Sequence, residues 1–334
     1  MVSRWLSGAR FARRTVAWLA AVGALVLAGA AAAQTYPTKP IRVVVPYAAG
    51  GITDILARAL GQKLGEALGQ SIVIDNRPGA NSQVGAEIVA RAAPDGYTLM
   101  VSADTTFVMG PHLTPKAGYD PLVDFVPVSG LGISPQALVV HPSVPAKNVT
   151  ELLALARAKP GELNYGTFGV GSSGHLNIEL LQSLTGTKFT AVHYKGAAPA
   201  LTDLLGGHIQ MLIVSIGLVT QPWQAGQLKV LGFGSTSRIL QYQDVPTLAE
   251  SGLPGYEAGS WYGLFAPAGT PPAIVQKINA ETQRIFSDPA FRDRVLAPSF
   301  IYSIASSPEQ FTARIQSDSA KWGKVIREAN IKAE

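Results

Sequence analysis

The sequence predicts an α/β fold in two parts, each a mainly parallel sheet flanked by helices. Three observations carry this. Short apolar runs rich in β-branched residues alternate along the chain with runs of helical period. The alternation comes in two series that change over near Gly130, each with its own glycine loops. The chain has 334 residues, more than one hydrophobic core usually holds.

The first segment is not part of either series. Met1 to Ala33 carries Arg4, Arg10, Arg13 and Arg14, no acid, and then the apolar run from Val16 to Ala33. Ala31-Ala32-Ala33 before Gln34 is a small-residue cleavage site, so residues 1–33 are expected to be a cleaved secretory signal peptide. Arg13-Arg14 is a weak match to a twin-arginine signal because its flanks differ. Removing four arginines takes the formal charge from +5 to +1 (5 − 4), so the basic balance argues for neither nucleic acid nor membrane as a partner. There is no cysteine, which excludes a lipid-anchored or disulfide-stapled product.

The first series opens with Ile41 to Pro46, a buried strand, which enters Tyr47-Ala48-Ala49-Gly50-Gly51-Ile52-Thr53-Asp54. A helix follows with Leu56, Leu60, Leu64 and Leu68 on one face and Gly69 beyond its end. Asp54 reads as a cap of that helix. Ser71 to Asp75 is the next strand. It leads into Asn76-Arg77-Pro78-Gly79-Ala80 and a helix to Ala93, and Thr98 to Ser102 then ends in Ala103-Asp104-Thr105-Thr106. Strand ends of an open parallel sheet share one edge, where ligands bind.

The second series has a short strand at Ala137 to Val140 and a helix from Glu151 to Ala158. Next comes Asn164-Tyr165-Gly166-Thr167-Phe168-Gly169-Val170-Gly171-Ser172-Ser173-Gly174-His175, a strand end and glycine loop opening a helix with Leu176, Leu180, Leu184 and Leu181 on its apolar face. Glycines let backbone N–H groups approach a ligand, and a helix start leaves N–H donors unpaired at the positive end of a dipole. Thr167, Ser172 and Ser173 add hydroxyls, so the loop reads as a seat for a small anion. Better-known readings fail. Gly169 to Gly174 spells G-x-G-x-x-G, but the next strand, Phe189 to Tyr194, ends in Lys195-Gly196 where a dinucleotide site needs an acid. Val170 and His175 stand where a hydrolase elbow needs glycines, and no Gly-Lys-Ser ending makes a P-loop. Strands at Ile209 to Ile216 and Leu228 to Phe233 complete the series. A return strand around Trp261 to Pro267 precedes helices from Pro272 and Pro308.

Several of these stretches carry a resemblance. Val45 to Asp54, Asn76 to Ala80, Val192-His193-Tyr194-Lys195-Gly196 and Ala266 to Pro271 resemble the Bug family, periplasmic solute receptors of tripartite tricarboxylate transporters. The likeness runs in order through the whole chain after the signal segment. It implies a two-lobed, Venus-flytrap receptor without enzymatic activity or cofactor, which holds a ligand carboxylate between its lobes and hands it to membrane permease subunits. Lobe 1 would be residues 34–133 and 260–334, and lobe 2 residues 134–259. The resemblance places a first-lobe seat at Tyr47, Ala49 and Gly50, supported by Ser102 and Thr105. The second-lobe seat would be Thr167, Ser172, Ser173, Gly174 and His175, with Ala197 and Ala198. Val214-Ser215 stands where many members carry an Asp, which argues against a ligand ammonium. The implied protein is a periplasmic monomer.

His112, His141, His193 and His208 are scattered without metal spacing and read as structural, so no metal is expected. Arg77 reads as a loop brace, Trp261-Tyr262 as hinge packing, and Lys195 as either a ligand contact or a solvated charge. Ser172 or Ser173 beside His175 suggests nucleophile and base, but no partner acid is identifiable, and a hydrolase is the weaker reading. A sensor that passes closure to a signalling partner uses the same features as a transport receptor. The chain crosses between series near Gly130 to Pro135 and Gly259 to Gly263, the expected hinges.

Overall fold

The computed structural model describes residues 36–114, 117–328 and 331, so the expected signal segment lies outside the described residues. In the first series, β1 (Ile41–Val45) is buried at four of its five positions, as a strand covered on both faces must be. α1 (Ile52–Leu68) buries Leu56, Leu60 and Leu64 and stops at Gly69, which is left-handed at φ 68°. β2 (Ile72–Asn76), α2 (Gln83–Ala90) and β3 (Thr98–Ala103) follow. A wide helical turn at Thr105–Met109 then runs into α3 (Gly110–Leu113).

One finding reorganises the middle of the chain. The short strand expected at Ala137 to Val140 is the end of β4 (Phe125–Val140), a 16-residue strand. Pro127, Gly130, Gly132 and Pro135 all lie within it. The strand tolerates them because its ladder slips register between Pro127 and Ser129 and again between Gly130 and Gly132.

The second series is α4 (Val149–Ala158), β5 (Asn164–Thr167), α5 (Ser173–Thr185), β6 (Thr190–His193), α6 (Ala197–Leu205), β7 (Met211–Ser215), α7 (Ile216–Gln224) and β8 (Lys229–Phe233). α7 begins at Ile216, the last residue of the strand expected from the sequence. On α5 the expected apolar face is corrected: Leu176, Ile178 and Leu181 are buried, but Leu184 is 52% exposed. The chain returns in β9 (Gly259–Pro267) and ends in α8 (Pro272–Ser287), the short α9 (Pro289–Phe291), β10 (Tyr302–Ser303) and α10 (Pro308–Glu328).

The strands are ordered β2-β1-β3-β9-β4-β7-β5-β6, with β8 and β10 also pairing β4. β1 pairs β2 and β3 in parallel, and β5 pairs β6 and β7 in parallel. These are two parallel wings joined by the antiparallel β4 and β9. One core packs on the first wing, where Phe107 stacks on Phe265 with centroids 3.7 Å apart. The second wing carries a core on each face. Leu138, Met211 and Ile213 point one way and Ala137, Leu212 and Val214 the other, the two-residue alternation of strands. Among the described residues, no helix is long and apolar enough to cross a membrane.

Candidate functional site

The carboxyl ends of β1, β3 and β5 open on one cavity of about 700 Å³ between the wings. Seven of the expected residues line it: Tyr47, Ala49, Thr105, Ser172, Ser173, Ala197 and Ala198. The other five do not form its wall. Ser102 is fully buried and shares a 2.7 Å hydrogen bond with Thr106. Thr167 bonds His193 Nδ1 at 2.7 Å. Gly174 is pressed under the Phe168 ring, where a Cβ would meet two ring carbons at 3.0 Å. Gly50, left-handed at φ 87°, donates its N–H to Asp54 at 3.0 Å.

His175 is occupied by its own loop. Its Nδ1 accepts from the Gly171 N–H at 2.9 Å, and its Nε2 stands 3.6 Å from Glu179 Oε1. That glutamate oxygen already accepts from Tyr165 Oη and Gln182 Nε2, both at 2.7 Å. Burial, with the nearby His193 adding to it, pushes the imidazole down to about 4. The ring is therefore neutral near pH 7. Neither ring nitrogen bonds Ser172 or Ser173, so a nucleophile–base pair is not assembled.

The glycine loop uses several of its own donors. Ser172 Oγ accepts from the N–H of Phe168 at 3.1 Å and, as the cap of α5, from that of His175 at 3.4 Å. The Gly169 N–H goes to Thr167 Oγ1 and the Ser172 N–H to the Gly169 carbonyl. Two other helix starts differ. No side chain caps α1 at Gly51 or α6 at Gly196, and Ile52, Thr53, Ala197 and Ala198 all face the cavity. First-turn N–H groups have no partner inside their helix, so donors from both wings converge here. The two loops touch: a Cβ built on Gly196 would lie 3.9 Å from Ala48 Cβ. Lys195, the residue before that glycine, is exposed and, among the described residues, is the only charged side chain in the cavity wall.

Asp54 organises the first start from behind. Burial opposes its charge, but hydrogen bonds from Arg58, Gly50 and Asn76 outweigh that and hold the carboxyl below its usual range. It thus does more than the cap reading expected. Arg77 pairs Asp75 at 2.9 Å, a brace as expected.

The sequence reading missed Gln136, Ser215, Ser260 and the ring of Phe168. Gln136, 2% exposed on β4, directs its amide nitrogen to Ser260 Oγ at 2.7 Å and Ser173 Oγ at 3.4 Å. No local signal marks it, because its partners lie 37 and 124 residues away. Tyr262 lines the cavity and meets Ser215 Oγ at 3.2 Å, whereas Trp261 packs in the core with its Nε1 donating to Asp318 at 2.8 Å. Asp104 lies just behind the wall. Burial, aided by the charge of Asp318, pushes it up to about 7 against the opposing hydrogen bond from Thr105 N–H. Among the described residues, no group of three or more His, Cys, Asp or Glu is placed to hold a metal ion.

Comparison with known proteins bears on this arrangement. Residues 56–331 match the profile of the tripartite tricarboxylate transporter family receptor. Protein BugT of Bordetella pertussis is 35% identical over 319 residues, covering 94% of this chain and 98% of that protein. A solved structure of Rpa4515 from R. palustris with adipate superimposes with TM-score 0.85 at 35% identity, covering 89% of this chain and 99% of that one. MatC (Rpa3494) from Rhodopseudomonas palustris with bound malate does so with TM-score 0.81 at 33% identity, covering 87% and 100%.

Proposed function

The chain belongs to the tripartite tricarboxylate transporter receptor family, and from that membership we propose that it captures a small carboxylate between its two wings and delivers it to membrane permease subunits. One observation carries the reading most. The uncapped starts of α1 and α6 meet beside Lys195 at one edge of a cavity whose wall, among the described residues, has no acidic side chain. Helix N-termini favour anions, and a carboxylate accepts several N–H groups at once. The adipate and malate held by the two relatives support the same ligand class. Tyr47, Ala49, Thr105, Ser172, Ser173, Ala197 and Ala198 are the proposed contacts. Gly50, Ser102, Thr167, Gly174 and His175 hold those residues in place.

The protein works in the periplasm as a monomer after cleavage before Gln34. Its lobes are residues 34–133 with 260–334, and residues 134–259, hinged where β4 and β9 cross between them. It transfers its ligand unchanged. The test is a thermal-shift screen of the exported protein against mono-, di- and tricarboxylates, sugars and amines, with N-terminal sequencing of the same material. A melting shift with a carboxylate is expected. A shift with sugars or amines alone would sink the reading, and an intact Met1 would sink the export step.

A further inference from the structure

The cavity wall carries its charge at Lys195, and most of the surface it presents is apolar. The start of α1, the start of α6 and Lys195 immediately before α6 lie together, while the start of α5 and Ser215 at the start of α7 also face the cavity with hydroxyls. Among the described residues, no cationic side chain other than Lys195 lines the wall. A second carboxylate would have to give up water without a cation to receive it.

The aromatic side chains reinforce the contrast. Tyr47, Tyr194 and Tyr262 line the cavity, yet each hydroxyl is already engaged by protein. Tyr47 bonds Thr106 at 3.0 Å, Tyr194 donates to Asp203 at 2.7 Å, and Tyr262 meets Ser215 at 3.2 Å. Burial holds all three as neutral phenols, with Tyr194 pushed up to about 12. What these residues offer a ligand is mainly ring surface. Phe168, packed over Gly174, adds a fourth ring, and Val214 and Leu218 add aliphatic surface. The volume of about 700 Å³ equals that of roughly twenty waters and falls within the usual range for drug-sized ligands.

We propose that the ligand is a monocarboxylate with an aromatic body, its carboxylate at the α1–α6 edge and its ring among Tyr47, Phe168, Tyr194 and Tyr262. This rests on the carboxylate-receptor reading and narrows it. Aromatic pairs gain energy from offset or edge-to-face contact beyond the area they bury. An aliphatic dicarboxylate gains none of that here and desolvates its second charge.

Titration calorimetry on the exported protein with 3-phenylpropionate, cyclohexanecarboxylate, adipate and malate tests it. 3-Phenylpropionate and adipate are of nearly equal size, so the comparison reads chemistry. The aromatic acid should bind about tenfold or more tighter than adipate and malate, with cyclohexanecarboxylate between. Equal or tighter binding of adipate or malate overturns the proposal and leaves the carboxylate reading standing. Binding of none of the four overturns both. Two variants extend the test. Phe168→Ala should weaken 3-phenylpropionate about tenfold and change adipate by less than about twofold, with the melting curve checking the fold. Lys195→Ala should weaken all four acids by a common factor. A loss confined to the dicarboxylates would show a second anion seat and defeat the proposal.

Discussion

His175 and Asp104 carry opposite pH dependences, and both are single-residue tests. The folded imidazole titrates near 4, below its ordinary 6.5, chiefly because it is buried. The unfolded chain therefore binds that proton first as pH falls. Stability from this group is complete above about 6.5 and is lost down to about 4, on the order of 3 kcal/mol. His175→Gln should flatten the stability–pH curve over that interval. An unchanged slope would mean that His175 is solvated in solution. Asp104 runs the other way. Its folded carboxyl titrates at about 7 against an ordinary 3.8, so the folded state holds its proton more tightly than the unfolded state does. Stability present below about 3.8 is lost as pH rises to about 7. The melting temperature of Asp104→Asn relative to the parent should climb across that window. A gap independent of pH would show that Asp318 and burial do not act on Asp104 as described.

Among the elements, the cavity-facing starts of α5 and α6 differ in their capping. α5 is capped by Ser172, so Ser172→Ala should cost about 1 kcal/mol of stability, measured by denaturant unfolding. α6 has no side-chain cap, and Ala198 is an exposed residue of its first turn. Ala198→Asp should stabilise the fold by about 0.3–1 kcal/mol, because an acid complements the helix dipole. The same substitution occupies the proposed anion seat, so 3-phenylpropionate binding should weaken. A gain in both stability and affinity would move the seat away from α6. The long strands set where these starts meet. Gly130 to Pro135 of β4 pair with Gly263 to Gly259 of β9, so the two expected hinge segments lie against each other. One register slip falls within this stretch, where a strand bends most readily.

For the whole molecule, ligand capture couples to stability and to shape. A carboxylate at a hundredfold excess over its Kd should stabilise the protein by about 2.7 kcal/mol, read from the concentration dependence of the melting temperature. The two wings already approach each other where a Cβ built on Gly171 would strike Leu113 Cδ1. Bending at the paired strands can separate these walls without breaking either core, since the cores of the two wings share few residues. Ligand must then bind the closed form more tightly in order to shift the population. Small-angle scattering should show a smaller radius of gyration at saturation. An identical radius with and without bound ligand would remove the flytrap motion.

The sequence by itself determined the order of most strands and helices, the two series, and the strand-end edge on which the cavity opens. Those features are local: β-branched runs, leucines at helical spacing, and glycines at strand ends act over a few residues. The self-capping of the glycine loop was also within reach, since Ser172 stands at the N-cap with His175 three residues on. Only the tertiary structure decided the rest. The strand expected only over Ala137 to Val140 extends back to Phe125, past Pro127 and Pro135, because β9 pairs with it through its register slips. Gln136 meets Ser173 and Ser260, and Tyr262 meets Ser215, through contacts spanning 37 to 124 residues. Such pairs have no sequence signature, because their geometry exists only once the wings have packed. Which hydroxyls face a ligand and which face each other follows from the same packing, since a buried polar group takes whatever partner the fold brings within reach.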